Sequence, residues 1–295
     1  VTTYGGIELG GTSVVCALGD APDRLVASER FPTATADVTL SRAIEFVRSA
    51  GGEVLAVGIG TFGPVDLDPD SPTFGVIADT PKPGWTGVRV LDRVREALGL
   101  PVAIDTDVNA AAVAEWRWGA ARGAGIAAYV TVGTGIGAGF VVNGAPWHGR
   151  GHPEFGHVPV DRVAGDAFPG VCPFHGDCAE GMASGPAIEA RWSQPAAEIG
   201  DEHPAWDVEA RYLGQALAGL ILTVAPHRVV LGGGVMLHPG LHARVRDQVR
   251  DRLGGYLRDA RSPEAIDELV VAPGLGRESG ALGAIELASR LRDAG

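Results

Sequence analysis

GIELGGTSVVCAL (Gly6–Leu18) and YVTVGTGIGAGFV (Tyr129–Val141) lie far apart in the chain but follow one plan. Each reads as a buried strand, a turn of glycine and threonine, and a returning strand. Each is followed by alternating strands and helices. After the first come strands at Leu25–Phe31, Val54–Gly60 and Val102–Thr106, with helical spacing at Leu40–Ala50, Val88–Leu98 and Val108–Gly119. After the second come a helix around Gly214–Val224, a strand at Arg228–Gly233, a helix around Leu241–Leu253, a strand at Leu269–Ala272 and a last helix, Glu278–Leu291. The opening strands are Tyr4–Leu9 and Ser13–Leu18 in the first half, and Ala127–Val132 and Ile136–Gly144 in the second. The order predicts two α/β lobes of like topology facing each other across a cleft, a natural place for a ligand. The expected division is a small lobe over 1–118, joined by the terminal segment 278–295, and a large lobe over 119–277.

The bulk properties exclude several classes. The 295 residues carry 24 Lys and Arg against 36 Asp and Glu, a formal net charge of −12, and the sequence pI is near 5.1. No basic run is present, which argues against a nucleic-acid partner. Lys82 is the only lysine, so arginine supplies nearly all the positive charge; the sequence alone reads this as genome composition. No apolar run is long enough for a membrane span, and the N-terminus opens directly on a strand pattern with no signal segment. Three cysteines are too few for a disulfide framework and point to a reducing cytoplasm.

Glycine turns bring backbone N–H groups close to an oxyanion. LGGTS (Leu9–Ser13) and VGTGIG (Val132–Gly137) are such turns between strands, and LGGGVM (Leu231–Met236) lies between a strand and a helix. Neither a Walker A loop nor a Rossmann fingerprint is present, so the turns suggest a nucleotide other than a dehydrogenase cofactor. VAIDTDVNAAAVAEW (Val102–Trp116) puts Asp105, Asp107 and Asn109 where a strand ends and a helix starts. Strand carboxyl ends line active sites in α/β folds. Either Thr106 or Asp107 could equally be a helix cap.

GHPEFGHVPVDRVAGDAFPGVCPFHGDC (Gly151–Cys178) gathers soft ligands. Cys172, His175 and Cys178 are compactly spaced, and His157 completes a set of two thiolates and two imidazoles. That set suits a closed, structural Zn²⁺ site. The alternatives are a Cys172–Cys178 disulfide, or His152 as the fourth ligand.

These segments, in this order, resemble the ROK family of bacterial sugar kinases over nearly the whole chain. GGIELGGTS resembles the first phosphate motif, IGTFGPVD (Ile59–Asp66) the sugar-side loop, DTDVNAAAVAE the catalytic segment, VTVGTGIGAG the second phosphate motif and LGGGV the adenosine motif. IExGGT, TDVN, HPExGH and CPxHGDC resemble the fructokinase subgroup in particular. The resemblance implies a two-lobed, actin-like (ribonuclease H-like) ATPase fold with an inter-lobe cleft. It implies phosphorylation of a hexose by ATP, with fructose first and mannose or glucose as alternatives, and a homodimer.

By the same resemblance Asp107 is the catalytic base. Gly63, Asn109, Glu154, His157 and Glu180 serve the sugar. Gly10, Gly11, Thr12, Gly133, Thr134 and Gly135 hold ATP phosphates, and Gly232, Gly233 and Gly234 pack on adenosine. Glu8 stands where the family places an Asp that orients hydrated Mg²⁺, and Thr106 replaces an Asn beside the base. The family's one His and three Cys become, through His175, two His and two Cys. Two other classes compete. A sugar-responsive regulator would need a helix-turn-helix ahead of the first motif, for which the sequence leaves no room. A zinc hydrolase would need HExxH and an open ligand position.

Overall fold

In the computed structural model, which describes residues 3–293, the two glycine-turn hairpins each start a five-stranded sheet. Residues 1–2 and 294–295, the outer ends of the segments assigned above to the first lobe, lie outside the described residues. The first half contributes β1 (Thr3–Leu9), β2 (Ser13–Gly19), β3 (Leu25–Pro32), α1 (Ala36–Arg48), β4 (Val54–Thr61), α2 (Val90–Leu98), β5 (Val102–Thr106) and α3 (Asp107–Arg117). The second contributes β6 (Ile126–Val132), β7 (Ile136–Val142), β8 (Ala145–Pro146), α4 (Ala179–Ala183), α5 (Gly185–Trp192), α6 (Ala205–Val224), β9 (Arg228–Gly232), α7 (Leu241–Leu253), α8 (Pro263–Leu269), β10 (Val270–Val271) and α9 (Ser279–Asp293).

The sheet orders are β3-β2-β1-β4-β5 and, read from the equivalent edge, β8-β7-β6-β9-β10. The repeat in the sequence is therefore a repeat in topology. In the first sheet, β2 is antiparallel to β1 and β3, whereas β4 and β5 run parallel to β1. In the second, β9 runs parallel to both β6 and β10.

Several elements differ from expectation. α6 begins at Ala205, well before Gly214, because Trp206, Ala210, Leu213 and Leu217 continue its buried stripe through a stretch of polar residues. α4, α5 and α8 are additional short helices. Ser184 starts α5 and Ser262 starts α8, each hydroxyl accepting a backbone N–H at its helix N-terminus. The last strand shrinks to Val270–Val271.

The chain divides into two compact units: residues 1–123, 139–153 and 274–295, and residues 124–138 and 154–273. Compared with the expected division, the segment 139–153 changes sides. Gly139 explains why: a Cβ there would lie 2.2 Å from the Val108 carbonyl oxygen, so only glycine lets β7 approach α3.

α9 returns to the first unit and lies on its sheet at backbone contact. A Cβ on Gly58 would come within 1.8 Å of the Ala284 carbonyl, and one on Gly283 within 1.8 Å of the Ala110 carbonyl. The return is fixed by Glu115 of α3, which is fully buried. Its carboxylate accepts from the backbone N–H groups of Ala120 (2.7 Å), Gly274 (2.9 Å) and Leu275 (3.0 Å), and from the Ser279 hydroxyl (2.7 Å). Glu115→Ala leaves all four donors without their acceptor. Its expected cost is about 3 kcal/mol or more, read as a lower urea midpoint, with Glu115→Gln intermediate.

Candidate active site and metal cluster

In the first unit three parallel strands end at one level. Leu9 of β1 pairs with Thr61 of β4, and Thr61 pairs with Thr106 of β5. The Gly10–Thr12 turn expected to hold phosphate, the loop after Thr61 expected to face the sugar, and Asp107 therefore leave the sheet side by side at its carboxyl edge.

The phosphate turn is closed by the Gly10 N–H donating to Ser13 O at 3.1 Å. The Thr33 hydroxyl donates to Gly10 O at 2.7 Å. A Cβ on Gly11 would meet nothing within 4 Å, so its backbone faces open space. In the sugar-side loop, Phe62 N–H donates to Leu9 O at 2.8 Å, and Gly63–Pro64 is a cis peptide.

Asp107 opens α3, and its Oδ1 accepts its neighbour's N–H, from Val108, at 2.9 Å. Thr106 is the cap: its hydroxyl accepts the Asn109 N–H at 3.1 Å. Asn109 is fully buried, its amide donating to Asp105 at 2.8 Å and its oxygen accepting from Phe140 N–H at 3.1 Å. Expected at the sugar, Asn109 here braces the start of α3 against β7.

Asp105, nearly buried, also receives His148 Nε2 at 2.9 Å. Nothing local in the sequence marks His148 as a partner of Asp105. Its hydrogen bond to that carboxylate raises its pKa above the usual imidazole value, with burial opposing. His152 behaves oppositely. Its Nε2 accepts the Val65 N–H at 3.1 Å, and burial lowers its pKa. This corrects its alternative assignment as a zinc ligand: the nitrogen points at the sugar-side loop.

Glu8 sits at the end of β1 beside the start of α9. The extra methylene that distinguishes it from Asp is accommodated by Gly280, where a Cβ would fall 2.3 Å from the Glu8 carboxyl carbon. Oε2 is buried with no protein partner. Burial pushes the carboxyl up to about 7, with Arg30 and the Ala281 N–H opposing. A buried, unpartnered carboxylate oxygen fits a site completed by a hydrated cation.

In the second unit the VGTG turn is closed by Gly133 N–H donating to Gly135 O at 2.9 Å. Gly133 O accepts the Gly185 N–H at 2.7 Å, so the start of α5 holds the turn. Thr134 at the turn tip is exposed. Thr131 pairs with Gly232 across β6 and β9, which places the glycines after β9 beside this turn. Gly233 takes φ +98°, and a Cβ there would lie 2.3 Å from Val132 O. Gly232 is similarly confined by the Tyr129 hydroxyl, whereas a Cβ on Gly234 would meet nothing within 4 Å.

The histidine and cysteine cluster forms as predicted. The ligand atoms of His157, Cys172, His175 and Cys178 lie within 4.8 Å of one another. His157 Nδ1 is 3.6 Å from both Cys172 Sγ and Cys178 Sγ, and His175 Nδ1 is 3.6 Å from Cys172 Sγ. A tetrahedral ion with bonds of about 2.0 Å to nitrogen and about 2.3 Å to sulfur separates N and S by about 3.5 Å. Neither cysteine is in a disulfide, which corrects that alternative. Burial pushes the Cys178 thiol up to about 11.

The cluster is joined to the second turn by Glu180, one residue into α4. Its Oε2 accepts the Ile136 N–H at 2.9 Å, and a Cβ on Gly135 would lie 2.6 Å from that oxygen. Expected at the sugar, Glu180 thus has one oxygen committed to the end of the Gly133–Gly135 turn. Glu154 precedes the short turn Phe155–His157. Burial raises its carboxyl pKa, helped by Glu180 and opposed by His157.

Residues 4–291 match the model of the ROK family. The chain belongs to the ROK family. It is 42% identical to the fructokinase of Zymomonas mobilis, covering 97% of this chain and 96% of that one. It is 40% identical to the fructokinase of Lactococcus lactis, covering 86% of each. A solved ROK glucokinase from Streptomyces griseus, in complex with glucose and AMPPNP, superposes with TM-score 0.78 at 29% identity, covering 98% of this chain and 99% of that one. The architecture is thus the two-lobed, actin-like ATPase fold of ROK sugar kinases.

The His148–Asp105 bond has a definite pH signature. A raised folded pKa stabilises fully below the unfolded value, about 6.5, and fades as pH rises through the folded value. The stability gap between wild type and His148→Gln should therefore be larger at about pH 6 than at about pH 9 in urea melts.

Proposed function

We propose that this protein transfers the γ-phosphoryl group of ATP to the 6-hydroxyl of D-fructose, with Asp107 as the base. The observation that carries the reading is the 40–42% identity to fructokinases over most of the chain. The placement of Asp107 beside a phosphate turn and a sugar-side loop in the first unit supports it.

Asp107 orients the sugar hydroxyl and takes its proton late, as the new P–O bond forms and ADP departs with the electrons of the broken bond. Gly10 and Gly133 N–H close their turns, and the other backbone N–H groups of the Gly10–Thr12 and Gly133–Gly135 turns stabilise charge on the phosphoryl oxygens, while Gly232–Gly234 receives adenosine. The unpartnered oxygen of Glu8 would hold a water of a Mg²⁺ ion brought by ATP, which would supply charge to balance the phosphates. Gly63, Glu154 and the free edge of Glu180 address sugar hydroxyls. His157 Nδ1 faces the cluster, which leaves Nε2 for a further hydroxyl. His157, Cys172, His175 and Cys178 would hold Zn²⁺, whose contribution is to fix the fold of the loop. The reduced thiols suit the cytoplasm.

The test is ADP release with Mg·ATP across fructose, mannose and glucose. Fructose should be turned over preferentially, and preference for another hexose would reassign the substrate. Asp107→Asn should bind fructose yet lose about 10³-fold in kcat. Chelation should strip one zinc per chain, measured by elemental analysis, and lower the melting temperature together with activity.

A further inference from the structure

Lys82 is the only lysine in a chain with a net charge of −12. Its position is built by the segment around it. Pro81 and Pro83 flank it and restrict the backbone. Trp85 is fully buried, its indole N–H donating to Ala34 O at 3.0 Å and its ring meeting Phe62 edge-on at 4.9 Å. From this anchored turn the Lys82 side chain, half-buried, reaches the first phosphate turn and donates to the Gly11 carbonyl. Its ammonium lies 5.7 Å from the centre of the Phe62 ring.

Two observations set it apart from a surface lysine. Among the described residues no carboxylate pairs with it, although acidic side chains outnumber basic ones. The backbone it touches, Gly11, borders open space where a Cβ would meet nothing. An ammonium carries three donors, and the Gly11 carbonyl uses one.

We propose that Lys82 is a catalytic residue of the phosphoryl transfer, its ammonium contacting the phosphate oxygens of ATP held at the Gly10–Thr12 turn. This rests on the reading of that turn as a phosphate site. In the reaction the sugar oxygen bonds to the γ-phosphorus, its proton passes to Asp107, and the bond from that phosphorus to the β,γ-bridging oxygen breaks. Lys82 stays protonated throughout and balances charge gathering on the phosphoryl and leaving oxygens. Burial lowers its pKa, and a neighbouring polyanion acts in the opposite direction, favouring the charged form.

The single lysine permits a direct test on the wild-type chain. Pyridoxal 5′-phosphate with borohydride labels Lys82 and the terminal amine, and peptide mass spectrometry separates the two. Mg·ATP, but not Mg²⁺ alone, should slow labelling of Lys82 about tenfold; labelling indifferent to Mg·ATP overturns the proposal. Lys82→Met should lower kcat about 100-fold with the sugar KM within about threefold, and Lys82→Arg should recover part of the loss. A folded Lys82→Met enzyme with kcat within about threefold of wild type overturns the proposal. If Lys82→Met does not fold, the labelling result decides. Protection by Mg·ATP in a protein that turns over no fructose sustains Lys82 while removing fructose as substrate.

Discussion

The buried carboxylate of Glu115 is the constraint on which the first unit depends. Its four donors lie just after α3 and at the entry to α9, where the chain has returned after the whole second half of the sequence. Backbone N–H groups in such a buried crossing require acceptors, and no apolar side chain could supply them. With that crossing fixed, α9 lies on β1 and β4 at a depth that only Gly6 and Gly58 allow. α3 begins with Asp107, and α9 begins beside Glu8. One acid therefore ties together the two helices whose N-termini carry Asp107 and flank the buried Glu8 carboxylate near the end of β1.

The second unit is braced by a different route to a similar end. The histidine and cysteine cluster leads directly into α4, and Glu180 of α4 holds the Ile136 N–H at the end of the Gly133–Gly135 turn. The Phe155–His157 turn packs on the same strand start, because a Cβ on Gly156 would fall 2.0 Å from Ile136 O. Disruption of the cluster would thus loosen Glu154, His157 and the second turn together, although none of the turn's own atoms belongs to the cluster.

The strands and glycine turns were legible because both are local: a short apolar run has a period, and a tight turn needs glycine. The cluster was legible because its spacing is chemically restrictive. The partners of polar residues were not. Asn109 carried a sugar-binding expectation, yet Asp105 and Phe140 engage both ends of its amide, and Glu180 gives one oxygen to the Ile136 N–H. His148 and His152 lie four residues apart with opposite roles, a donor to Asp105 and an acceptor from Val65. Which histidine is raised and which is lowered depends on residues distant in sequence, so no local pattern could distinguish them. The Asn143-Gly144 turn, with φ of 49° and 86°, ends β7 and returns the chain as β8, where the sequence pattern ran on as strand to Gly144.

An acidic protein that binds a polyanion must make its attraction locally. At physiological ionic strength, charges beyond about 8 Å are largely screened, so the net charge of −12 matters less than the groups within one shell of the ligand. Backbone N–H groups are suited to this, since they carry no counter-charge to be neutralised and are already oriented by the glycine turns. Their limit is that each is only a partial charge. A phosphoryl group in transfer gathers more charge than such dipoles alone balance, and a full positive charge beside the turn is the natural complement. Lys82 stands at that place, held by a buried tryptophan and two prolines.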